Sequence, residues 1–166
     1  NQLIITKLIE LLNNSLNVFV FSERRSHLIE LFTLFDDQYA YSCNKYIQSE
    51  DNKSIILYGG SKEKDINEAK NNSNVIFTTY QYSSTGVSIV KMNGMILASP
   101  RKSNSTQIVG RIFRLGEGQE VQREIVDIVD NKIFVKSQYY LRKKTYLARN
   151  ATIIKSEISY KDIEIY

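Results

Sequence analysis

Cysteine, histidine, proline and tryptophan are almost missing from this chain of 166 residues, which has one, one, one and none of them. Cys43 has no intramolecular partner, so no disulfide framework holds the fold. His27 stands alone, which excludes the clustered imidazole and thiolate ligands of a structural zinc site. Both absences fit a reducing, intracellular compartment. Long apolar runs are missing too: the first apolar stretch is interrupted by Lys7, Glu10 and Asn13, too soon for a membrane span or the core of an export signal. A soluble chain with no membrane partner is expected. Two chemical motifs are also absent. No Gly-x-x-x-x-Gly-Lys-Ser/Thr run is present to cradle a β-phosphate, and no Asp-Glu pair follows an apolar strand to hold magnesium.

What is present supports one core. A hydrophobic content of 42% in a chain of this length predicts a single domain over residues 1–166. The net charge of +4 agrees with a polyanionic partner, although the placement of the charges carries more information than their sum.

Leu3, Ile4, Leu8, Ile9, Leu11 and Leu12 recur at helical spacing, and Asn13-Asn14 is a plausible stop. Leu16 to Phe21 is a short apolar run of the kind buried on both faces of a parallel sheet, and Arg24 to Phe35 reads as a helix. The same order repeats: strand Ser54–Tyr58, turn Gly59-Gly60, and a helix capped by Ser61 and running to about Asn71. Strands Val75–Thr79 and Gly94–Ser99 follow, then a helix carrying Gln107 to Arg114 with Ser103 or Asn104 as its cap. A strand over Glu124–Val129 and a basic, tyrosine-rich helix over Ile133–Ala148 come next, and Thr152–Tyr166 reads as one or two edge strands. Alternating buried strands and helices predict an open α/β fold, its sheet mostly parallel and covered by helices on both faces. In such folds the working residues lie on loops at the carboxyl ends of the strands.

The strongest local feature is Gln107-Ile108-Val109-Gly110-Arg111-Ile112-Phe113-Arg114. It places two arginines three apart on one helical face, beside a glycine that permits close approach. Two such guanidinium groups suit a phosphate, because arginine stays charged and presents a planar fork of donors. An isolated Arg-x-x-Arg is more often a solvated face, so its context decides.

That context resembles the superfamily 2 helicases. The octet is similar to their motif VI, Gln-x-x-Gly-Arg-x-x-Arg. Val75 to Ile89, with Ser83-Ser84-Thr85-Gly86-Val87-Ser88 at its centre, resembles motif V, and Val18-Phe19-Val20-Phe21-Ser22 resembles motif IV. Leu57-Tyr58-Gly59-Gly60-Ser61 is similar to the glycine-containing strand end between them. Four elements in register from about residue 1 to residue 130 look like the C-terminal, RecA-like domain of such an enzyme, with 131–166 as an extension of it. The segment from Val126 through Tyr140, with Arg142-Lys143-Lys144, loosely resembles the C-terminal extension of helicases from large DNA viruses of eukaryotes.

The resemblance implies that Arg111 and Arg114 are arginine fingers that reach the γ-phosphate of ATP held on an N-terminal lobe. Gln107 is implied to position the nucleotide or link the lobes, and Gly86 to lie where ATP and nucleic acid are coupled. Many members have an acidic residue where this chain has Ser88, which leaves a carboxylate contact in doubt; a serine there also occurs in phage branch-migration helicases. Ser22, Gly59, Gly60, Ser61, Thr78 and Thr79 are implied to meet DNA or RNA phosphates. Small and hydroxyl residues at strand ends suit that task, since they expose backbone N–H groups. Arg24 and Arg25 either flank a helix on the surface or add a phosphate contact. ATP and magnesium are expected in the full-length protein, held mainly by the other lobe, with none bound by this domain alone and no metal ligands in it. Asp127 and Asp130 read as strand-end and turn residues, and Tyr139, Tyr140 and Tyr146 as the packing face of a basic helix. If the viral likeness holds, the expected location is the host cytoplasm or the virion. The alternative is a free-standing RecA-like adaptor that binds nucleic acid or protein without meeting ATP.

Overall fold

The computed structural model describes residues 1–36, 53–84, 89–101, 105–114 and 120–159. Helix α1 (Gln2–Asn13) leads into strand β1 (Val18–Ser22) and helix α2 (Arg25–Leu34). Then come β2 (Lys53–Leu57), α3 (Glu63–Asn71), β3 (Ser73–Thr79) and the short α4 (Tyr80–Ser84). Strand β4 (Gly94–Leu97), helix α5 (Ser105–Val109) with a 3-10 turn (Gly110–Phe113), strand β5 (Glu124–Asp127) and helix α6 (Ile133–Leu147) complete the order. The five strands form one sheet in the order β2-β3-β1-β4-β5, and every pairing is parallel. The mostly parallel sheet expected from sequence is therefore wholly parallel among the described residues.

Alternation along β1 separates two cores, because successive side chains leave opposite faces of a strand. Val18 and Val20 join Val75, Phe77 and Ile96 under α1 and α2, which contribute Ile5, Leu8, Leu28 and Leu31. Phe19 and Phe21 join Ile76, Met95 and Leu97 under the other helices, through Ala69 of α3, Tyr80 of α4, Ile108 and Val109 of α5, and Tyr146 of α6. Of the helices that follow strands, α2 alone turns to the first face, whereas α3, α4 and α5 turn to the second. The carboxyl end of β1 is thus where the connections diverge, the position at which open α/β sheets leave a crevice. The amino edge is closed instead by asparagines: Asn93 Oδ1 accepts the Asn17 N–H at 2.8 Å, and Asn74 Nδ2 donates to Asn17 Oδ1 at 2.9 Å.

Among the described residues, both non-glycine residues with positive φ close helices. Ser15 (φ 62°) follows α1, where Leu16 N–H donates to Leu11 O and Ser15 N–H to Leu12 O. Asn150 (φ 56°) does the same after α6, with Ala151 N–H donating to Tyr146 O and Asn150 N–H to Leu147 O. This bond pair is the Schellman closure, in which a left-handed residue lets the chain satisfy the last carbonyls.

Three local expectations are corrected. Ser61 does not cap α3; Lys62 does, while Ser61 Oγ accepts the Tyr58 N–H at 3.0 Å and its own N–H donates to Tyr58 O at 2.9 Å. The hydroxyl closes the preceding turn, whose third residue, Gly60, has φ +98°. Gln107 to Arg114 is not one α-helix but a short helix that tightens into a 3-10 turn at Gly110. The proposed caps Ser103 and Asn104 lie outside the described residues. Residues 151–159 form no strand: Ala151 and Ile153 pack on the second core, so the segment covers a face and pairs with no edge. Residues 160–166 lie outside the described residues.

Gly94 is a packing requirement. A Cβ there would stand 3.0 Å from Val18 Cγ2 and 3.3 Å from Leu16 Cβ. Val18 is β-branched and wholly buried, so it has little room to yield. Overpacking outweighs the strand propensity gained, and Gly94→Ala is expected to lower stability by about 1 kcal/mol in urea unfolding.

Candidate phosphate-binding and nucleic-acid interface

Because the strands are parallel, their carboxyl ends share one edge. Register places Ser22 beside Thr79, and Leu57 beside Thr78. The ends of β2, β3 and β1 therefore stand in a row, bringing Gly59–Ser61, Thr79 and Ser22 together as neighbours. Their side chains, however, are largely occupied. Ser22 is fully buried, and its Oγ lies 2.9 Å from His27 Nδ1 and 3.4 Å from Ser99 Oγ. His27 Nε2 lies 2.9 Å from Asn1 Oδ1; a neutral ring that donates from Nε2 and accepts at Nδ1 satisfies both contacts. Burial lowers the His27 pKa, in keeping with that neutral form. Thr78 is buried, and its Oγ1 has no hydrogen-bond partner among the described residues. Thr79 is half-buried, and its Oγ1 accepts the Tyr82 N–H at 3.1 Å, so it caps α4.

What this edge offers an anion is backbone. Gly59 and Gly60 are exposed, a Cβ on either would meet nothing within 4 Å, and neither N–H has a partner among the described residues. Beside them, Arg25 stacks on Tyr58 with its guanidinium carbon 3.7 Å from the ring centroid and donates to the hydroxyl at 2.6 Å. Arg24 is exposed at the start of α2.

Sequence reading missed the polar network behind this edge. Ser99 Oγ accepts the Glu23 N–H at 2.8 Å, and Ser99 O accepts from Tyr80 Oη at 2.7 Å. Burial and the charge of Asp127 raise the Tyr80 pKa, so Tyr80 stays a neutral donor. Arg101 pairs with Glu23 at 3.1 Å and lies over the Tyr80 ring. Deeper still, Arg142 of α6 grips Asp127 through Nε and Nη2, both at 2.8 Å, while Tyr146 Oη donates to the same carboxylate at 2.6 Å. Arg142 Nη1 reaches Arg101 O at 3.0 Å, which ties α6 to the loop after β4. Burial opposes the guanidinium's charge, yet Asp127 outweighs it and raises the Arg142 pKa. Arg142 belongs to the basic helix read from sequence, yet it is 2% exposed and packs inward with the tyrosine face. The tyrosine expectation splits: Tyr146 is buried, Tyr139 is half-buried, and Tyr140 is exposed.

The arginine turn lies on the second face, where α5 packs against α4 and α6. Arg111 is buried and Arg114 exposed, so the two do not share one accessible face as the helical spacing predicted. Burial first, and the charge of Arg114 second, disfavour the charged form of Arg111. Gln107 and Arg114 project into solvent, and their side chains make no hydrogen bond or ion pair among the described residues. The donor set fits a polyphosphate: an exposed amide, an exposed guanidinium and a second guanidinium buried in the same turn. Among the described residues nothing demands Gly110, since a Cβ there would meet Arg149 Nη2 at an unstrained 3.7 Å. Gly86 and Ser88 lie outside the described residues.

The chain is 30% identical over 149 residues to "Putative ATP-dependent RNA helicase QP509L" of African swine fever virus, isolate Pig/Kenya/KEN-50/1950. That match covers 90% of this chain and 28% of the relative. The protein of the same name from strain Badajoz 1971 Vero-adapted is 35% identical over 106 residues, which is 64% of this chain and 21% of the relative. Among solved structures, S. cerevisiae Dbp5 bound to RNA and ADP BeF3 superposes with a TM-score of 0.63 over 87% of this chain and 36% of that one, at 14% identity. The C-terminal part of the Fun30 ATPase domain gives a TM-score of 0.59 over 95% of this chain and 46% of that one, also at 14% identity. The chain is similar in sequence to these viral helicases and has the fold of a helicase C-terminal, RecA-like domain. No protein-family model matches it. The likeness to viral helicases that the sequence suggested is met by these viral relatives, and the helicase domain spans about a quarter of their length. Among its described residues no helix is long and apolar enough to cross a membrane, and no group of three or more His, Cys, Asp or Glu side chains could hold a metal ion.

Proposed function

We propose that this domain is the second motor lobe of an ATP-dependent helicase or translocase, and that it works only against an N-terminal lobe. The observation that carries the reading is the Gln107–Arg114 turn, where an exposed Gln107 and Arg114 flank the buried Arg111 in sequence. Arg114 and Arg111 would stabilise charge developing on a phosphoryl group presented by the other lobe, and Gln107 would orient the nucleotide. ATP and magnesium supply the transferable phosphoryl group when bound; the residues described here supply only donors to it. At the carboxyl edge the free N–H groups of Gly59 and Gly60, with Ser61, Thr79 and Arg24, would hold nucleic-acid phosphates. Ser22 and Thr78 would then shape that edge from beneath, since both are buried. The relatives' name and the RNA-bound neighbour favour RNA as the strand, acted on inside the infected cell.

Stepping would follow from differential contacts: the arginines engage the nucleotide in the closed state and release its product in the open one. The test is ATP hydrolysis by the 166-residue chain and by the full-length protein, each with and without single-stranded RNA or DNA. The chain alone is expected to give no saturable hydrolysis, and the full-length protein to be stimulated by nucleic acid it binds with a steep salt dependence. Saturable hydrolysis by the chain alone, or salt-insensitive binding, contradicts the reading.

A further inference from the structure

Phe113, half-buried beside the arginine turn, is flanked by two more arginines. The guanidinium carbons of Arg123 and Arg149 each stand 5.0 Å from its ring centroid. The two differ in what else they do. Arg123 is tied into the fold, with Nε donating to Ile112 O and Nη1 to Val121 O, each at 3.0 Å. Arg149 is exposed, and its side chain makes no hydrogen bond or ion pair among the described residues. Its Nη2 stands 3.7 Å from the place a Cβ on Gly110 would take.

The position of Arg149 is built into the fold. It lies inside the Schellman closure of α6, between the carbonyls of Tyr146 and Leu147 and the left-handed Asn150. Tyr146 is itself held by Asp127. The C-terminal extension thus carries a guanidinium back to the glycine of the phosphate turn. Arg111, Arg114, Arg123 and Arg149 are gathered there, and no carboxylate is within ion-pair range of Arg114 or Arg149 among the described residues. Like charges brought together repel, and an anion seated between them would reverse the sign of that interaction.

We propose that Arg149 is a third phosphate-binding guanidinium of this turn, contacting the terminal phosphates of the nucleotide over Gly110. The proposal rests on the reading of Arg111 and Arg114 given above. Gly110 then leaves room for a phosphate beside the Arg149 guanidinium, the one group among the described residues within 4 Å of where its Cβ would stand.

The experiment compares wild type, Arg149→Ala, Arg149→Lys and Arg114→Ala in the full-length protein. The readouts are equilibrium binding of a fluorescent, non-hydrolysable ATP analogue and of fluorescent ADP, with thermal melting and steady-state turnover alongside. Arg149→Ala is expected to weaken the triphosphate analogue about tenfold while ADP affinity and melting hold, and Arg149→Lys to recover part of the loss, the size expected for one charge-assisted contact. Wild-type analogue affinity in Arg149→Ala overturns the proposal. So does an equal loss of analogue and ADP with a lowered melting temperature, which marks a structural role. A third contrary result is intact nucleotide binding with a nucleic-acid salt slope reduced by about one, which assigns the phosphate to the nucleic-acid backbone. If Arg114→Ala is inactive while Arg149→Ala is normal, this inference fails alone; if Arg114→Ala turns over normally, the parent reading fails.

Discussion

Asp127→Ala is expected to destabilise the domain by about 3–5 kcal/mol, a large share of the roughly 5–15 kcal/mol that holds a single domain folded. The carboxylate accepts three hydrogen bonds, two from Arg142 and one from Tyr146, and Arg142 is 2% exposed. Removing Asp127 strips the buried guanidinium of its counter-ion and leaves it the Arg101 carbonyl as a hydrogen-bond acceptor, and the cost is that of a desolvated, unpaired charge. The loss propagates, because the same side chains fix α6 to β5 and to the loop after β4. Replacing both members, as Asp127→Leu with Arg142→Met, removes the stranded charge and is expected to cost much less than Asp127→Ala alone. Chemical denaturation of the single and double variants checks this; a single variant within about 1 kcal/mol of wild type would show that the pair contributes little.

This ion pair also marks where sequence reading stops. The strand and helix order was legible because burial on both faces of a parallel sheet leaves short apolar runs such as Val18–Phe21 and Val75–Phe77, which local composition reports directly. The glycine turn was legible because Gly60 needs a left-handed backbone. Pairing between residues fifteen positions apart leaves no such trace: Arg142 reads like its neighbours Lys143 and Lys144, and Asp127 like any strand end. Helical spacing likewise placed Arg111 and Arg114 on one face, whereas Arg111 is buried within the 3-10 turn and Arg114, at its end, is exposed. Arg149 offered no motif at all, since its approach to Phe113 depends on how α6 ends.

The withdrawal of Arg111 separates the two expected fingers experimentally. Arg111→Ala removes a buried side chain and disturbs packing together with chemistry, so a loss of activity there is ambiguous. Arg114 is exposed and has no partner among the described residues, so its truncation leaves the domain intact. Arginine fingers typically contribute about 10³–10⁵ in turnover. The decisive measurement is therefore steady-state ATP hydrolysis by full-length Arg114→Ala, made beside its affinity for single-stranded nucleic acid. Turnover is predicted to fall by about 10³ or more with affinity within about threefold of wild type, because the finger acts on the transition state and the strand is held elsewhere. Near-normal turnover by that variant would contradict the composite-site account.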